Sequence, residues 1–173
     1  MTRGEWSEVE TADWSEISAL TALGDRMYAV CDGGLYAIAA DGSYALVGAD
    51  TWSARFLVPS GNRLIAFESS GAMYKIDPRS GAYGELGDGD WQGASGAASV
   101  TGAPYVVHQG AMYRVSPADG SDVLLDGGWA DLAFLVSLGA ADALLAILDS
   151  GATYFVAADG TWRELATTWP AAR

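Results

Sequence analysis

The chain has 173 residues, half of them hydrophobic, with seven Trp, eight Tyr and 22 Gly. That length and composition allow one domain with a real core and exclude a disordered chain, which needs low hydrophobicity. The net charge of -13, from 22 acidic and nine basic residues, repels nucleic-acid phosphates and anionic membranes, so the expected partners are small molecules, glycans or basic proteins.

The N-terminal stretch MTRGEWSEVETADW has no apolar signal region, so a cytoplasmic location is expected. The lone Cys31 rules out an intrachain disulfide and fits a reducing compartment. An extra strand is expected over residues 5–12. From Trp14 onward the chain repeats itself. Trp stands at 14, 52, 91, 129 and 169, in steps of 38, 39, 38 and 40 residues. A Tyr follows 22 residues after the first three and 25 after the fourth, within LYAI, MYKI, MYRV and TYFV. A turn closes each copy: ADGS, PRSG, ADGS and ADGT.

Each unit reads as four short strands. In unit two these are TWSARFLV, NRLIAFE, AMYKID and AYGELG, separated by PSG, SSG and PRSG turns. Short runs rich in β-branched and aromatic residues, cut by Gly, Asp and Ser, are the hairpin pattern. Unit four carries three more residues and the run ADALLAIL, which tempts a helix assignment. The repeat register predicts a strand there, with a longer loop before it.

Four-stranded units of this length in tandem predict an all-β fold, a four-bladed β-propeller of antiparallel blades with about 38–40 residues each. The blades fall at about 14–50, 52–89, 91–127 and 129–168, in one domain spanning 1–173. The W-x-x-I opening and the LYAI hairpin with its Asp-Gly turn resemble tectonin and tachylectin-like repeats, and kelch and quinoprotein-type blades as well. The Gly pair of kelch blades appears only in GGLY of unit one, and the WD and GH signatures of WD40 repeats are absent. The N-terminal EWSEVETADW mirrors the C-terminal TWRELATTWP, so Trp6 matches Trp162 and Trp14 matches Trp169. A ring closed within one chain is favoured over two chains joining into eight blades.

Propeller strand order places the between-blade loops and the loops joining strands two and three on one face. That face gathers Asp32, Asp50, Ser69, Asp88, Asp90, His108, Gln109 and Asp149, the expected ligand-binding residues. The opposite face takes Asp25, Arg26, Asn62, Arg63 and Arg79. The repeated Trp14, Trp52, Trp91 and Trp129 are expected to wedge between blades. Asp88 and Asp90 in GDGDWQG are the one cation candidate, for Ca²⁺ or a similar ion, but the pattern lacks the distal Glu of a full calcium loop, so no cofactor is expected. One His rules out a metal site built on several imidazoles. Lys75 and Arg114 are expected to be solvated.

These observations point to a non-catalytic, lectin-like binding or interaction module with an acidic loop face. A second reading is an acidic inhibitor or immunity-type protein that caps a basic partner. A third is an enzyme with a carboxylate site in the channel, drawing on Glu16 and Asp131; no catalytic residue is assigned.

Overall fold

The computed structural model describes residues 14–165. The expected strand at 5–12, Trp6 and Trp169 lie outside them. Four antiparallel sheets follow one another in chain order, each a four-stranded meander. The first holds β1 (Ile17–Leu23), β2 (Arg26–Cys31), β3 (Gly34–Ile38) and β4 (Tyr44–Leu46). The second holds β5 (Ala54–Ser60), β6 (Arg63–Glu68), β7 (Met73–Ile76) and β8 (Tyr83–Glu85). The third holds β9 (Gly96–Val100), β10 (Ala103–His108), β11 (Ala111–Val115) and β12 (Asp122–Gly127). The fourth holds β13 (Leu132–Leu138), β14 (Ala143–Leu148), β15 (Thr153–Ala157) and β16 (Trp162–Glu164). The fold is a four-bladed β-propeller. The loop between β13 and β14 is two residues longer than its counterparts and forms a 3-10 turn at Gly139–Ala141, ahead of a strand and not a helix. Among the described residues no helix is long and apolar enough to cross a membrane.

Each blade has two apolar faces because side chains alternate along a strand. In blade 2, Leu57, Leu64, Ala66 and Ile76 turn to blade 1, while Val58, Ile65, Phe67 and Met73 turn to blade 3. Three buried clusters result, one at each of the seams 1/2, 2/3 and 3/4. The Trp residues sit in these seams as expected: Trp52, Trp91 and Trp129 are 6%, 5% and 4% exposed. They precede the strands, however, and do not begin them. The cause is a repeated bond to the preceding blade: the amides of Trp52, Trp91 and Trp129 donate to the carbonyls of Gly33, Gly71 and Gly110 at 2.8, 3.0 and 2.9 Å. The marker Tyr of each unit stacks edge-on against its own Trp, at 5.6 Å for Trp14 and Tyr36 and 5.7 Å for Trp129 and Tyr154.

Polar bonds also cross the seams. The Tyr105 hydroxyl donates to Ala158 O at 2.6 Å, and Ser60 Oγ to Gly102 O at 2.6 Å. Lys75 is not the free charge expected: it is half-buried, and its Nζ donates to Pro117 O at 2.7 Å, from blade 2 to blade 3. Arg114 is exposed, as expected. The expected closure of blade 4 on blade 1 is not seen. Among the described residues no buried cluster joins them, and the innermost strands pack as β1 on β5, β5 on β9 and β9 on β13. The blades form an arc.

The β3–β4 type turns explain the repeated Asp. Asp41 accepts from Ser43 N at 3.0 Å and Oγ at 2.7 Å, and Asp159 from Thr161 N at 2.9 Å and Oγ1 at 2.6 Å. The Ser43 hydroxyl, then its amide, holds the Asp41 carboxyl below the ordinary value; Thr161 does the same for Asp159, and Ser116 ahead of Ser121 for Asp119. In Asp77 the Arg79 amide is the leading cause. A carboxyl depressed on folding binds fewer protons in the native state, so its stabilisation is complete above about pH 3.9 and is lost as pH falls through the folded pKa. Urea midpoints measured from pH 5 down to pH 2 are therefore expected to fall, and Asp41→Asn with Asp159→Asn to flatten that fall. An unchanged pH slope in the double variant would contradict this origin.

Candidate functional site

The loop face is built by a second repeated bond. The amides of Asp32, Ser69 and Asp149, just after strand two, donate to the carbonyls of Glu16, Ser53 and Asp131, just before strand one, at 3.4, 3.0 and 2.9 Å. This pairs two carboxylate residues in blade 1, two serines in blade 2 and two carboxylate residues in blade 4. Between blades 1 and 2 the pairs border a recess of about 660 Å³, lined by Glu16, Ser18, Asp32, Trp52, Ser53, Arg55, Ser69 and Ser95.

Glu68 does not line this recess but holds Ser53, which does, and it was not singled out from the sequence. It is the last residue of β6 and only 8% exposed. Its Oε2 accepts from Ser53 N at 2.8 Å and Ser53 Oγ at 2.5 Å, and Ser69 Oγ in turn bonds Ser53 Oγ at 3.0 Å. Its Oε1 is buried with no partner among the described residues. A carboxylate bonded on one oxygen and bare on the other carries a desolvation cost that a hydrogen-bond donor offsets. The same strand-end position is filled by Cys31, His108 and Leu148 in the other blades. Cys31 and His108 are thus equivalent residues of blades 1 and 3, with a whole blade between them.

Of the eight residues expected on this face, the recess brings together Asp32 and Ser69. Asp50 is exposed on the blade 1/2 connection and accepts from the Tyr83 hydroxyl at 3.4 Å; its charge is the first cause of the raised Tyr83 pKa. Asp88 and Asp90 diverge. Asp88 borders a shallow recess with Asp119 and Asp122 at the edge of blade 3, while Asp90 Oδ1 caps the Gln92 amide at 3.1 Å. No group of three or more acidic, His or Cys residues in metal-binding reach occurs among the described residues. His108 is half-buried, its ring 5.9 Å from that of Trp91 and edge-on. Gln109 is exposed at the adjoining loop with φ 49, and Asp149 is exposed on blade 4. On the opposite face, Asp25, Arg26, Asn62 and Arg79 border a common recess, and Arg63 pairs with Asp77.

No family model and no curated protein matches the sequence. Solved structures do match. A catalytically inactive virginiamycin B lyase from Staphylococcus aureus, solved with quinupristin, has a TM-score of 0.66 at 16% identity over 95% of this chain and 60% of its own. The RRP9 WD40 repeats have 0.67 at 13% over 91% of this chain and 52% of theirs. YCF48 bound to D1 peptide has 0.60 at 16% over 91% and 56%. The likeness is one of fold. The chain spans between half and two thirds of the length of each of these structures. Fold does not fix function, so any ligand has to be argued from this chain's own residues.

Proposed function

We propose that this chain is a non-catalytic binding module whose acidic loop face takes a cationic side chain of a basic peptide or protein. The carrying observation is Glu68, a buried carboxylate whose Oε2 is held by Ser53 and whose Oε1 is buried with no partner among the described residues, directly behind the Ser53 wall of a recess bordered by Glu16 and Asp32. A guanidinium or ammonium supplies the missing donor together with the charge that offsets desolvation. The net charge of -13 steers such a partner to the chain, and the exposed Asp50 on the blade 1/2 connection adds to the acidity of that seam. The fold likeness to a propeller solved with a bound peptide supports a peptide segment as the ligand class.

The test is calorimetric titration with an arginine-rich peptide and, separately, a neutral oligosaccharide, at low and high salt. The peptide is expected to bind with affinity that falls steeply with salt. Glu68→Gln is expected to weaken it about tenfold, the scale of one charged hydrogen bond. Asp159→Asn, at a turn remote from the recess, is expected to leave it nearly unchanged. Equal losses in the two variants would reduce the effect to net charge. Binding of the sugar alone would overturn the cationic reading.

A further inference from the structure

The arc ends in two bare apolar faces, and they are the two halves of one more seam. On blade 1 the residues equivalent to Leu57 and Leu64 of blade 2 are Leu20 and Met27. Leu57 is 4% exposed in its seam, whereas Leu20 is 51% and Met27 44% exposed. On blade 4 the residues equivalent to Phe56 and Val58 are Phe134 and Val136, 64% and 48% exposed against 3% for Val58. Trp14, the first of the wedge series, is half-buried and stacks only on Tyr36 and Tyr44 of its own blade among the described residues. Gly151, the blade 4 counterpart of Gly33, Gly71 and Gly110, stands where the next Trp amide would bond.

We propose that a second copy of this chain fills both ends, so that blade 4 of each copy packs on blade 1 of the other in a closed ring of eight blades. Three observations favour this occupant. At every internal seam the trailing face of one blade meets the leading face of the next, and blade 4 and blade 1 present these two faces, so the contact is head to tail and closes only if the arcs meet twice. Trp14 on blade 1 and Gly151 on blade 4 stand in the register of the pairs Trp52–Gly33, Trp91–Gly71 and Trp129–Gly110 that bond across each internal seam. The arc superposes on a little over half of each of three larger structures with TM-scores of 0.60–0.67 over 91–95% of this chain, as a run of consecutive blades in a longer ring would. Contiguous apolar surface of this kind marks an interface. In the ring, Asp131 and Asp149 of one copy come beside Glu16 and Asp32 of the other, which adds two further acidic seams to the loop face.

Light scattering on a sizing column tests this with the whole chain. The wild type is expected at twice its 18.0 kDa mass. Leu20→Asp and Phe134→Asp are each expected at the monomer mass, with circular dichroism unchanged because both side chains are already exposed within one chain. Mixing the two variants is the deciding step. A mixed pair retains one seam with both faces intact, so a dimer is expected to return on mixing, while either variant alone stays monomeric. A wild-type monomer at all concentrations would overturn the proposal and leave the terminal segments as the cover. A dimer indifferent to both substitutions, no pairing on mixing, or a mass that grows beyond two copies would each overturn it as well.

Discussion

Replacing Trp91 with alanine is expected to destabilise the domain by about 3–5 kcal/mol, the cost of truncating a large aromatic in a core. Trp91 is 5% exposed and belongs to the cluster at the blade 2/3 seam with Val58, Ile65, Phe67, Met73 and Val106. Its ring lies 6.3 Å from Phe67 of the preceding blade and 5.5 Å from Tyr113 of its own, edge-on in both cases. Truncation therefore opens a cavity bounded by two sheets, neither of which can move in without dragging its other seam along. Urea unfolding followed by circular dichroism measures the loss. A midpoint unchanged from wild type would contradict the wedge assignment.

Gly120→Ala is expected to cost about 2–4 kcal/mol, from strain at positive φ together with overpacking. Gly120 has φ 80 and sits in the turn between the outer strands of blade 3; a Cβ there would stand 2.5 Å from Gly87 N and 2.6 Å from Gly87 Cα. Those are backbone atoms of blade 2, so the overlap is relieved only by parting the outer rims of the two blades. Gly61→Ala separates the contributions. Gly61 has φ 59 with nothing within 4 Å of the added carbon, so it carries the backbone strain alone, about 1 kcal/mol. Equal losses in the two variants by urea unfolding would contradict close rim packing.

The architecture was readable because one physical demand recurs in every unit. Each seam needs a Trp in front of its inner strand and a Tyr on its third strand to stack on it, and both leave regular marks in the sequence. The placement of the Trp ahead of the strand was not readable, since it depends on an amide bonded to the preceding blade's loop. Lys75 looked solvated because its acceptor, Pro117 O, belongs to a different blade. Glu68 escaped notice for a reason of register. The loop between strands two and three has two residues in blades 1 and 3 but four in blades 2 and 4, so aligning units on the Tyr misplaces Glu68 relative to Cys31 and His108 by one position. A carboxylate at the end of an otherwise apolar strand, RLIAFE, was the available signal. Ring closure was not encoded locally at all: every blade carries the same two apolar faces whether the next blade belongs to the same chain or to another.

Of the eight residues assigned to the loop face, Asp32 and Ser69 share the recess because the repeated bond between strand-two loop and strand-one entry draws them toward Glu16 and Ser53. Asp50 sits on the blade 1/2 connection and the rest on the blade 2/3 connection and on blades 3 and 4, which strand counting alone does not distinguish.

The most direct test of the functional account is the amide NMR spectrum of the chain titrated with the arginine-rich peptide at moderate salt. Shifts concentrated at Glu16, Asp32, Ser53, Glu68 and Ser69 are expected. Shifts centred on the opposite face, around Asp25 and Asn62, or spread evenly over every acidic turn, would contradict it.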